Sequence, residues 1–76
     1  MKEISDLIER TLAREILTYE ESKHKMSSVG RAVWSGRIDG LCSALQMTKK
    51  YPIEQLFDIE WAREFKEQYR GVLEAF

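Results

Sequence analysis

Ser28, Ala32, Gly36, Gly40, Ala44 and Thr48 stand at every fourth position through the middle of this chain. Residues four apart stack on one side of an α-helix, so the spacing leaves a shallow lengthwise groove almost free of side chains. Two glycines inside a helix cost roughly 1 kcal/mol each relative to alanine. The stripe therefore predicts a helix that another backbone, or a flat ligand, approaches closely. It speaks of contact rather than of chemistry.

The rest of the chain is helical in its periodicity, and no alternating run of β-branched residues signals a strand. In the first segment, about residues 2–25, Ile4, Leu7, Ile8, Thr11, Leu12, Ile16 and Tyr19 form one stripe that continues into Met26. This is a one-sided amphipathic helix. Lys23, His24 and Lys25 fall in its last turn, where cations are favoured. Asp6 with Arg10 and Glu21 with Lys25 are i,i+4 pairs in the favourable order.

The middle segment, about 28–50, is apolar on two sides. At about 100° per residue, one arc holds Val29, Ala32, Val33, Gly36, Gly40, Ala44 and Met47. A second arc holds Trp34, Ile38, Leu41 and Leu45. Only a narrow strip of Ser28, Arg31, Ser35, Asp39, Gln46 and Lys49 is polar. A helix apolar nearly all round is buried by neighbours on more than one side, so this segment reads as the central element.

Lys49-Lys50-Tyr51-Pro52 closes it, because the residue before a proline is pushed out of the α region. Ile53, Leu56 and Phe57 read as one short turn. Asp58 suits the cap of a last helix over about 59–75, with Trp61, Ala62, Phe65, Tyr69, Val72, Leu73 and Phe76 on its stripe. Two readings stay open at 26–30. Ser27, Ser28 and Gly30 break the chain into a hairpin, or the in-phase stripes continue as one helix of about 45 residues. Such a helix would be about 70 Å long and could bury itself only by self-assembly.

The chain has 76 residues, which bounds it to a single domain, 1–76. A chain this short buries only about 60% of its unfolded surface. One cysteine, Cys42, allows no internal disulfide. Oligomerisation is then the usual remaining route to stability. The expected fold is all-α: two long helical segments and a shorter aromatic C-terminal helix, assembled as a helical homo-oligomer.

The net charge of −1 hides an acidic, basic, acidic order. Lys23, Lys25, Arg31 and Arg37 lie in a stretch without acids, between two acidic ends. Duplex nucleic-acid binders show a domain-wide basic surface instead, so that partner is not expected. No apolar run is long enough to span a membrane, and no apolar segment follows Met1-Lys2-Glu3 as in a secretory signal. With the lone cysteine, this suits the cytoplasm.

Three groups of residues are candidates for a site. The small-residue groove is a docking surface for a second copy or a partner helix, unless the first helix of the same chain fills it. Lys23, His24, Lys25, Arg31, Trp34 and Arg37 combine phosphate-binding cations with a stacking ring, as a pocket for a nucleotide-like anion would. The bland alternative is that Arg37 pairs with a glutamate of a neighbouring helix. Trp61, Phe65, Tyr69 and Phe76 form an aromatic stripe that is core by its spacing, and an interface wherever it stays exposed.

Catalytic chemistry has little to work with. Glu21-Ser22-Lys23-His24 has the Glu-x-x-His spacing of helical di-metal sites, but the chain has no second histidine and only a symmetric dimer could supply one, so no metal is expected. Cys42 reads as a small core residue, and Glu60, Glu64 and Glu67 as a solvated row. No cofactor motif is present. The size and plainness of the chain are similar to those of small phage and bacterial accessory proteins, with no residue pattern behind the likeness. The expectation is a non-enzymatic interaction protein that self-associates and binds or blocks another protein. The alternative is a binder of a small anionic ligand between subunits.

Overall fold

The computed structural model describes residues 2–48 and 50–68. Three α-helices follow in order: α1 (Lys2–Ser22), α2 (Ser28–Met47) and α3 (Ile59–Gln68), with a 3₁₀ turn at Lys23–Lys25 between the first two. No strand occurs among the described residues.

The long-helix reading is overturned at Met26 and Ser27. Met26 is extended at φ −93°, ψ 149°, and Ser27 at φ −69°, ψ 166°. Ser27 Oγ accepts the Gly30 N–H at 3.1 Å, and the Arg31 N–H donates to the Ser27 carbonyl at 3.0 Å. An N-cap serine contributes about 1 kcal/mol, enough to set where a helix restarts when no strong propensity opposes it. The result is a hairpin. Lys23, His24 and Lys25 lie in the 3₁₀ turn rather than in the last α-helical turn.

α1, not α2, is the central element. α2 and α3 each pack on α1 rather than on one another. The core consists of Leu12, Ala13 and Ile16 of α1, Leu45 of α2, and Ala62 and Phe65 of α3. Ile8, Leu17, Ile38, Leu41, Cys42 and Trp61 pack around it. α1 takes this place because two of its acids go inward with partners. Glu9 and Glu15 are 3% and 6% exposed, which widens a stripe that looks one-sided by hydropathy. A buried carboxylate is tolerable only when paired and hydrogen-bonded.

The link between α2 and α3 is built on that pairing. Glu9 accepts from Lys50 Nζ at 2.7 Å and from the Tyr51 hydroxyl. This fastens the Pro52 turn to α1. Tyr51, Phe57 and Trp61 then meet edge-to-face, with ring centroids 4.9–6.4 Å apart, and Phe65 packs on Trp61 at 5.3 Å. Asp58 Oδ1 accepts the Trp61 N–H at 3.0 Å, capping α3 as its sequence position suggests.

Candidate interaction surface

The two apolar arcs of α2 part company in the structure. The bulky arc of Trp34, Ile38, Leu41 and Leu45 turns toward α1, and Leu45 is fully buried. The small arc turns outward. Val29 is 73% exposed, Val33 57% and Met47 81%, with Ala32, Gly36 and Gly40 exposed between them. Burying the larger side chains removes more apolar area from water, and this decides which arc α1 receives.

Helix α1 therefore does not fill the small-residue groove. A methyl group added at Gly36 or Gly40 would meet nothing from the rest of the described residues within 4 Å. Ser28 and Ala32 are likewise open, while Ala44 and Thr48 are partly covered where α1 comes alongside. At that end a hollow of about 680 Å³ runs between the helices, lined by Ile4, Ser5, Ile8, Ala44, Met47, Thr48 and Lys50. Lys50 forms its rim and is held by Glu9, with Asp6 3.7 Å away. Ile4 and Leu7, 49% and 57% exposed, extend the apolar surface onto α1. Gln46 Nε2 donates to the Ile53 carbonyl at 3.4 Å, which draws exposed Ile53 to the same end of α2. Asp39 is the one charged residue on the outward side of α2 by helical projection.

The basic stretch is differently arranged. Arg37 donates to Glu15, and its guanidinium lies 4.9 Å from the Trp34 ring centroid. Trp34 in turn stacks on Tyr19 with centroids 6.5 Å apart. The ion pair, the cation–π contact and the stacked rings form a strut between α1 and α2. Lys23 pairs with Glu20 at 3.2 Å, and His24, Lys25 and Arg31 are exposed. The six residues thus do not converge on one concave point. A second hollow of about 250 Å³ between α1 and α3 is ringed by Arg14, Arg63, Glu20 and Glu21, so it presents both signs of charge.

Of the aromatic stripe, Phe65 is buried and Trp61 half-buried in the cluster already described. Tyr69 and Phe76 lie outside the described residues. Cys42 is half-buried; desolvation, with a smaller contribution from Asp39, pushes its thiol pKa up. That favours the unreactive thiol over the thiolate nucleophile. Among the described residues no three His, Cys, Asp or Glu side chains group as metal ligands, and no helix is long and apolar enough to cross a membrane. Glu60, Glu64 and Glu67 are exposed along α3.

Sequence reasoning missed the roles of Glu9 and Glu15. The signal was present only in part: both flank Leu12 within one turn, on the edge of the α1 stripe. Their partners stand 22 to 42 residues away, which no local pattern encodes. No family model, no curated protein and no solved structure matches this chain.

Proposed function

We propose that this chain is a small, non-enzymatic helical interaction protein that works by self-association and by holding or blocking another protein. Its working surface is the outward arc of α2 with the adjoining edge of α1. One observation carries the reading: an apolar helix face with two glycines flush at its centre, against which the described residues place nothing. A row of large apolar side chains left open to water along one helix face, as Val29, Val33 and Met47 are, supports an interface there. A bound nucleotide-like anion at Arg31, Trp34 and Arg37 would first have to draw Arg37 away from buried Glu15, and it receives no comparable support.

Native mass spectrometry of the purified chain tests the reading, because it reports subunit number and any retained ligand together. A bare oligomer is the expected result. A bare monomer at tens of micromolar would remove the self-association on which the proposal stands. A few hundred extra daltons per subunit would shift the argument to the arginine–tryptophan strut.

A further inference from the structure

The charged hollow between α1 and α3 shares no residue with the outward face of α2, and its charges are unequally matched. Glu20 is held by Lys23 at 3.2 Å. Arg14 of α1 and Arg63 of α3 are both exposed, and neither has an acid in ion-pair contact among the described residues. No acid stands three or four residues from Arg14, so its own helix offers it no partner. Arg63 has Glu60 and Glu67 at those spacings and pairs with neither. Lys66 lines the same wall one turn further along α3.

With Glu20 offset by Lys23, three cations face this hollow against one carboxylate, Glu21. On α1 that carboxylate stands two turns, about 10 Å, beyond Arg14, which leaves the hollow with a cationic end and an acidic end. Two arginines from different helices at one hollow repel each other unless an anion lies between them.

We infer that this hollow binds a small phosphate monoester, its phosphoryl oxygens held by Arg14 from α1 and Arg63 from α3. Lys66 adds a third positive charge, and the Thr18 hydroxyl on the lining is a further donor. Each guanidinium is a planar fork that binds an oxyanion through two N–H bonds, and two forks from separate helices suit the three terminal oxygens of a phosphoryl group. Size limits the rest of the ligand. At about 250 Å³ the hollow is smaller than the roughly 300–1,000 Å³ of sites for drug-sized molecules, so it takes a phosphoryl group with a few carbon atoms rather than a nucleotide. Leu17 and Ile59 give those carbons an apolar wall. A neighbouring hollow of about 400 Å³ shares Leu17, Arg63 and Lys66, and opens a path for a longer substituent.

Nuclear magnetic resonance titration of the nitrogen-15-labelled chain with inorganic phosphate tests the site, at a constant ionic strength of about 0.05 M made up with chloride. The expected result is saturable binding with a midpoint on the order of 1 mM, and amide shifts largest at Arg14, Thr18 and Arg63. Arg14→Gln and Arg63→Gln should each weaken binding about fivefold, and Glu21→Gln should strengthen it about twofold. All three positions are exposed, so each variant keeps its fold, which circular dichroism checks. Shifts that rise without saturating, or binding unchanged in both arginine variants, would overturn the inference. Shifts centred on Arg31, Trp34 and Arg37 would overturn it too, by placing the anion at the strut. O-phosphoserine and a blocked phosphoserine peptide separate two sources of the same group. Binding of the free ester alone would assign the site to a small molecule, and equal binding of both would assign it to a phosphorylated side chain of a partner.

Discussion

Leu45→Ala lowers the unfolding free energy by about 2–5 kcal/mol. Leu45 is 0% exposed and is the buried residue that α2 contributes to the core beside Leu12 and Ile16. Truncating it leaves a cavity in the core cluster that Leu45 shares with Leu12 and Ile16 of α1. A domain of this size has a total stability of roughly 4–11 kcal/mol, so the loss is a large share of the whole. The melting temperature should fall by at least about 10 °C. Leu56→Ala serves as the control, because Leu56 is 73% exposed on the link to α3 and should change stability by no more than about 0.5 kcal/mol. Equal effects from the two substitutions would mean that α2 does not seat its bulky arc on α1.

Glu9→Ala is the second large effect, expected at roughly 1.5–3 kcal/mol. The carboxylate is buried in α1 and accepts from both Lys50 Nζ and the Tyr51 hydroxyl. Removing it leaves a half-buried phenol without that acceptor and releases the Pro52 turn from α1. Lys50 is 42% exposed, so water replaces part of its lost bond and moves the cost toward the lower end of the range. The signature is non-additivity. Glu9→Ala combined with Tyr51→Phe should cost less than the two single changes together, because both remove the same bond. Urea titration of the four proteins measures this. Strict additivity would show that Glu9 and Tyr51 do not share a bond in solution.

The helical architecture was legible because its signals are local. Serine at 27 and aspartate at 58 mark helix starts, Pro52 marks a break, and the two arcs of α2 are visible by periodicity alone. Which arc faces α1 was left open by the sequence, which showed both arcs as apolar; the larger buried area of Trp34, Ile38, Leu41 and Leu45 than of Val29, Ala32, Val33 and the glycines accounts for the outcome. Placing α2 at the centre of the fold instead of α1 came from counting apolar arcs without asking whether a charge could be paired. Glu9 and Glu15 make α1 look solvated on sides that are buried, and their partners are far away in sequence. The same limit applied to the basic stretch. Arg37, Trp34 and the neighbouring cations look like an anion pocket until Glu15 and Tyr19 are brought against them. The open hollow beside Ala44 depends on how α1 and α2 are aligned, so it too had no signal in either segment alone.

Sedimentation equilibrium of the unmodified chain beside Gly36→Leu, with helix content followed by circular dichroism, tests most directly whether the outward face of α2 is an interface. Among the described residues the new side chain meets nothing near its Cβ, and leucine removes about 1 kcal/mol of helix-interior glycine cost. The variant should therefore fold with equal or greater helicity. In the assembly the same side chain wedges two backbones apart. The expected result is an oligomer for the unmodified chain and a helical monomer for the variant, with Gly40→Leu behaving alike. The same oligomer mass for all three proteins, or a monomer for all three, would contradict the account.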